Sequence, residues 1–384
     1  MKILYYLPSL FNSGGLERII TLKANYLSEQ LKHEVVVLTS EQRSRPIYFP
    51  LSKKIKVMDL DVPFDKDYRQ LLLIRILKYP FKYYLFKKRF CELLYQYRPD
   101  ITITTLRREV NFISSVRDGS TKIGEFHFTR APYFSNFMKG NAFLNRKVNK
   151  YWGKHYISNL QKLDRIVLLT HQELDQWPEL NNTVVIPNPL AFFPDETSTC
   201  GTKKVISVGR YVFDKGFDML IDAWKKVNER HPEWTLHIYG EGDRKSLNDR
   251  INLLQLNDSC FLEKPVINIE KKYLESSIFV LSSRHEGFGM VIAEAMACGV
   301  PPISFDCPGG PRDIIKNGID GILVEHENIP KLADKICFLI ENKVVRMEMG
   351  QKAKANIERF KIEKVMEKWQ ELFESLAKKV PDLM

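Results

Sequence analysis

At 384 residues the chain exceeds what one hydrophobic core usually serves, so two domains are expected, and a 44% hydrophobic content can fill both. Its six cysteines lack metal-ligand spacing and are too sparse for a disulfide framework, which points to a reducing cytoplasm, and no apolar run is long enough to span a membrane. The formal charge of +11 is uneven: residues 1–190 hold 30 basic and 17 acidic side chains, a balance of +13 against −2 for the rest, so the first half is expected to meet something anionic.

In chain order, "KILYYLP" reads as a first strand rather than a signal peptide, because Pro8 and a glycine turn break its apolar run with no small-residue cleavage site. "HEVVVLTS", "IKVMDLD", "DITITTL" and "RIVLLT" follow as short β-branched runs, each separated by a stretch that can hold a helix. That alternation is the pattern of a parallel sheet with crossover helices. It stops near "TVVIPNPLAFFPDETSTCGTKK", where three prolines and a polar cluster place a domain boundary at Pro187 to Lys203. It restarts with "KKVISVGR", "WTLHIYGEG", "CFLEKPV", "SIFVLSS" and "VPPISFD". Two doubly wound domains in series result, 1–190 and 191–361. The helix predicted over 362–380 is amphipathic, with Val365, Met366, Trp369, Leu372 and Phe373 on its apolar face, and can pack on either domain. Ligands of open α/β sheets sit beyond the carboxyl ends of the strands, which puts the expected site in a cleft between the domains.

Candidate chemistry lies just after strands. Gly14 and Gly15 in "PSLFNSGGLERI" precede a helix and let backbone N–H groups approach an oxyanion, although a plain strand-to-helix turn explains them equally well. The dinucleotide fingerprint is absent, which argues against a dehydrogenase. In "ISVGRYVFDKGFDMLIDAW" a strand ends at Gly209, flanked by Arg210 and Lys215, two cations suited to a diphosphate or to an ordinary basic loop. "SSRHEGFGMVIAEAMACG" sets Glu286 in a turn and Glu294 as the sole charge of a helix apolar on nearly every side. A buried carboxylate is costly unless it is paired or hydrogen-bonded. Two hydroxyl-binding groups flanking a helix N-terminus that favours an anion suit a nucleotide-sugar. The alternative is that Glu294 pairs with a basic neighbour and Glu286 is solvated.

"GRYVFDKGFDMLIDAW", "YGEGD", "HEGFGMVIAEAMACGVPPISF" and "CPGGPRDIIKNGIDGILV" closely resemble the family 4 retaining glycosyltransferases of GT-B fold, and "NSGGLER" matches that family's amino-terminal loop. The resemblance implies two Rossmann-like domains facing a central cleft, with the helix over 362–384 crossing back to the acceptor-binding first domain. It implies retaining transfer from a UDP-sugar, with no cofactor and no catalytic metal. Glu286 then resembles the residue that holds the donor sugar's hydroxyls, and Glu294 the ribose ligand. Gly287, Phe288, Gly289, Met290 and Val291 would line the sugar and distal phosphate, and Arg210 and Lys215 would neutralise the departing diphosphate. Gly14, Gly15 and Glu17 resemble the loop closing the other side of the diphosphate, Gly240 and Gly242 a turn near the nucleotide, and Pro265 and Val266 the grip on the base. His127 in "GEFHFTRAPY" occupies the place of a family histidine near the reaction centre, with Phe126 separating it from Glu125. Arg312 would add charge near the donor or pair with Asp313.

Residues 68–91, "YRQLLLIRILKYPFKYYLFKKRFC", carry seven basic side chains and no acidic one among many aromatics, with Pro80 expected to bend or split the helix. The segment suits an anionic bilayer surface; a basic solvated hairpin is the alternative. The expected acceptor is a saccharide or lipid-linked saccharide of a bacterial cell surface, with the protein cytoplasmic and peripheral on the inner membrane face. Rivals are a GT-B sugar-nucleotide epimerase, a silent binding protein, and a nucleic-acid-binding protein, the last leaving Glu286 and Glu294 unexplained.

Overall fold

The structure, a computed structural model, describes residues 1–64, 72–130 and 152–377. Five helices frame the functional surfaces: α1 (Gly15–Glu29), α2 (Leu72–Tyr97), α3 (Phe217–Arg230), α4 (Met290–Ala297) and α5 (Ile362–Ala377). The chain divides into two compact units. The first gathers Met1–Leu168, Trp177–Pro189 and Ile362–Met384, and the second Leu169–Gln176 and Leu190–Lys361.

The first unit is built on a parallel sheet of β1 (Lys2–Tyr6), β2 (Glu34–Thr39), β3 (Lys56–Asp59), β4 (Ile101–Thr104), β5 (Thr121–Glu125), β6 (Arg165–Leu168) and β7 (Thr183–Val185). Their spatial order is β3-β2-β1-β4-β5-β6-β7. The period-2 alternation of a strand sends Tyr5 and Tyr6 to opposite faces. Tyr5 joins Ile3, Val35 and Val37 under α1 and α5, where Val365, Met366, Trp369 and Phe373 are buried. Tyr6 meets Phe86 and Phe90 of α2, at ring separations of 5.8 and 4.9 Å. The helix α2 runs through Pro80, so of the two sequence expectations, a bend or a split, the split does not occur. Pro80 is exposed, so water can satisfy the Ile76 carbonyl that it leaves without a donor.

The second unit repeats the plan with β8 (Lys204–Val208), β9 (Thr235–Tyr239), β10 (Cys260–Glu263), β11 (Ile278–Leu281), β12 (Pro302–Phe305) and β13 (Ile322–Val324), in the order β10-β9-β8-β11-β12-β13. All pairings in both sheets are parallel. Each sheet reverses direction of winding beside its own first strand, between β1 and β4 and between β8 and β11. Such a switch point leaves a crevice at the carboxyl ends of the two strands. No described helix is long and apolar enough to cross a membrane.

Candidate active site

At the second unit's switch point, β11 ends at Leu281 and the chain turns through Ser282 to Gly289 into α4. Glu286 is buried in this turn. Its Oε1 accepts from Lys215 Nζ at 2.6 Å and from the Ser283 hydroxyl at 2.6 Å, and its own N–H donates to Pro308 O at 3.1 Å. Lys215 comes from the loop after β8, so two strands flanking the switch point deliver one cation and one carboxylate to the same spot. The solvated alternative for Glu286 therefore does not hold. Ser283 escaped the sequence reading because a serine at a strand end reads as a turn residue; its position three before Glu286 was the available signal.

Glycine permits the close approaches that shape this turn. Gly289 caps α4 at φ +94° without a side chain, leaving first-turn N–H groups of the helix to an external acceptor. A Cβ on Gly310 would stand 1.4 Å from Phe288 O, so the "CPGGPRD" loop lies directly on the "EGFG" backbone. Gly216, at φ +61°, likewise admits the Ser282 carbonyl.

Glu294 is buried within α4, where the Tyr273 hydroxyl donates to its Oε2 at 3.3 Å. Burial, reinforced by the Glu294 charge, pushes the neighbouring Cys298 thiol up to about 12, so this cysteine stays protonated. On the β8 side, the Gly209 N–H donates to Tyr239 O, and a Cβ on Gly240 would collide with Gly209 O. Gly242 (φ +132°) pairs with Tyr211, whose buried hydroxyl lies 2.7 Å from the carbonyls of Ile238 and Glu263. Arg244 also donates to the Glu263 carbonyl, at 2.8 Å. Arg210 is exposed just beyond β8, while Pro265 and Val266 are exposed after β10.

Arg312 does not pair with Asp313: its guanidinium is forked onto Asp306. Asp313 instead accepts from the N–H groups of His171, at 2.7 Å, and Gln172, at 3.3 Å. It thereby caps the helix His171–Asp175 from the short helix Pro311–Ile314, more than a hundred residues away in sequence.

In the first unit, Gly14 precedes α1 and Glu17 folds back over it. Glu17 Oε1 accepts from the Asn12 amide at 3.0 Å, and a Cβ on Gly14 would strike Glu17 Oε2. His127 follows β5, its Nε2 3.2 Å from Glu125 Oε1, too bent for a hydrogen bond. Sequence reasoning missed what stands behind it. Lys23, on the buried face of α1, donates to the same Oε1, and its Nζ lies 4.4 Å from the Trp369 ring centroid. Burial, the largest influence on Glu125, would raise its carboxyl; Lys23 and His127 together outweigh it and hold the group at about 2. Burial in turn pulls Lys23 below the ordinary lysine range, opposed by Glu125. The described residues hold no cluster of His, Cys, Asp and Glu able to bind a metal ion.

Two doubly wound parallel-sheet units in one chain are the architecture of the GT-B glycosyltransferases, to which the solved structures it superposes on belong. The description "Glycosyl transferases group 1" matches residues 192–356. An uncharacterized glycosyltransferase of Haemophilus influenzae is 28% identical over 96% of this chain and 98% of its own length. One of Methanocaldococcus jannaschii is 32% identical over 65% of this chain and 67% of its own. A poly(ribitol-phosphate) α-N-acetylglucosaminyltransferase of Staphylococcus aureus is 31% identical over 66% of this chain, which spans about half (51%) of that relative. Among solved structures, S. aureus TarM in complex with fondaparinux, α-GlcNAc-glycerol and UDP superposes with a TM-score of 0.74 over 97% of this chain and 99% of its own, at 19% identity. The chain belongs to the group 1 glycosyl transferase family and is a glycosyltransferase of GT-B fold.

Proposed function

We propose that this enzyme transfers a hexose or N-acetylhexosamine from a UDP-sugar to a saccharide or lipid-linked acceptor of a bacterial cell-surface glycan, retaining the anomeric configuration and using no catalytic metal. The observation that carries the reading is the Lys215–Glu286–Ser283 cluster set against the open N-terminus of α4. Glu286 is held ready by two donors and can exchange one for a sugar hydroxyl. The Lys215 ammonium thereby released, with Arg210, offsets negative charge as it grows on the leaving diphosphate, the effect that most often dominates such catalysis. The N–H groups of α4 and the backbone from Gly287 to Val291 would receive the distal phosphate, and Glu294 the ribose. His127, Gly14, Gly15 and Glu17 would act from the first unit, and Gly209, Gly240, Gly242, Pro265 and Val266 would line the nucleotide.

Support for the donor and acceptor comes from relatives: TarM is held with UDP and α-GlcNAc-glycerol, and the S. aureus relative's name gives poly(ribitol-phosphate) as its acceptor. UDP release measured over a panel of UDP-sugars, with and without chelator, tests the donor and the metal independence together. Proton NMR of the initial product reads the anomer. No UDP release from any donor and no thermal stabilisation by UDP would overturn the proposal, and a free sugar-nucleotide isomer in place of a glycoside would make the enzyme an epimerase.

A further inference from the structure

The helix α2 has two apolar faces, and only one is used by the fold. Phe86, Phe90 and Leu94, at i, i+4 and i+8, are buried in the first unit. Ile74, Leu77, Phe81 and Tyr84, at intervals of three, four and three, form a second stripe on the opposite side, and they are 39, 79, 70 and 64% exposed. At roughly 1.5 Å rise per residue the stripe runs about 15 Å. Scattered exposed apolar residues need no explanation, but four large ones aligned on one helix face do.

The charges around the stripe select its occupant. Lys78, Lys87 and Lys88 are exposed on the same helix, and α2 has no acidic residue before Glu92. Two further cations serve the fold: Lys82 donates to Pro63 O at 2.9 Å, and Arg89 to the carbonyls of Leu60 and Asp61. These two fasten α2 to the loop after β3. A second copy laid on the same stripe would bring lysine against lysine, whereas an anionic bilayer presents phosphates to the lysines and acyl chains to the stripe.

We infer that Ile74, Leu77, Phe81 and Tyr84 form a membrane-docking stripe, with α2 lying in the plane of an anionic bilayer surface and Lys78 and Lys88 on the headgroups. The inference goes beyond the donor chemistry and does not rest on it. The sequence alone would credit all the basic residues of the segment equally; in the structure Lys82 and Arg89 are turned onto backbone carbonyls, whereas Lys78 and Lys88 are exposed. Residues 68–71 of the sequence segment lie outside the described residues.

Flotation of the full chain with vesicles of phosphatidylcholine alone, or with about a third phosphatidylglycerol, tests the inference. The wild type is expected to float with the anionic vesicles and to be released by salt. L77E/F81E should weaken binding at least tenfold, and K78Q/K88Q about twenty-five-fold, at about five-fold per lysine. Both variants change exposed side chains, so circular dichroism melting should match the wild type, and Phe81→Ser provides a milder check on folding. K82Q/R89Q should lower the melting temperature instead. Failure of the wild type to float with anionic vesicles would overturn the inference. So would flotation unchanged in L77E/F81E, or a wild-type dimer in sedimentation that L77E/F81E abolishes, which would make the stripe a self-association face.

Discussion

Replacing Lys23 with Met asks what a buried ion pair behind His127 is for. On α1, Ile19, Ile20, Ala24 and Leu27 share the buried face with Lys23, a pattern in which an apolar residue would serve packing equally well. Lys23 and His127 hold Glu125 at about 2 against an ordinary 4.5. That depression corresponds to about 3 kcal/mol favouring the charged form, at about 1.4 kcal/mol per unit. Removing the ammonium strands a carboxylate in the core, and breaking a buried pair from one side costs about 3–5 kcal/mol. The double variant K23M/E125Q removes both charges and should recover most of the loss. Hydrogen exchange of the β1 and β5 amides, read by mass spectrometry at pH 7, reports the opening free energy of the first unit alone. A depressed carboxylate stabilises the fold above its unfolded value and loses that contribution as pH falls through its folded one. The wild type should therefore lose protection from about pH 4.5 downward, and E125Q should lose less. Protection in K23M within 1 kcal/mol (~fivefold) of wild type, or a double variant no more protected than the single, would refute the reasoning.

Other consequences are equally direct. Burial raises Glu109 from 4.5 to about 6, so the folded state favours the protonated acid. Stability of the first unit should fall by up to about 2 kcal/mol between those pH values, and E109Q should flatten the slope in the same exchange experiment. Glu294→Ala should raise the Kd for UDP about tenfold by calorimetry and leave kcat largely intact, whereas Glu286→Ala should lower kcat by about a hundredfold with UDP affinity little changed, as expected for lost hydrogen bonds to a charged group. Gly310→Ala forces a methyl into the Phe288 carbonyl and should abolish UDP-induced thermal stabilisation, while exchange in the first unit stays at the wild-type level.

Strand runs of four or more residues, β5 excepted, were legible in the sequence because each is a short apolar-rich stretch set off by turn residues; TKIGE, with a lysine, a glycine and a glutamate among its five residues, is not. β7 and β13 were not: three residues of "TVV" and "ILV" are too short to distinguish a strand from loop hydrophobics, and both are edge strands. The proximity of Lys215 to Glu286 was legible only through family likeness, since 71 positions separate them and spacing carries no information about which loops converge. The same blindness misplaced Arg312, whose nearest carboxylate in sequence is Asp313 but whose partner in space is Asp306. Lys23 was invisible for a different reason. A single lysine on a helix reads as surface, and only the burial of Glu125 across the sheet shows it to be core.

The packing of α5 into the first unit bears on how the chain is made. Trp369, Phe373, Val365 and Met366 complete a core whose other walls come from α1, β1 and β2. During synthesis those walls exist once residue 189 has emerged, yet their cover is some 170 residues away, roughly ten to thirty seconds at ribosomal speed. The second unit, contiguous from Leu190 to Lys361 apart from one short run, is itself what is synthesised in that interval, and its last residue directly precedes α5. Until α5 arrives, the first unit lacks the cover of its own core, and an apolar seat left open in this way is a surface prone to aggregation.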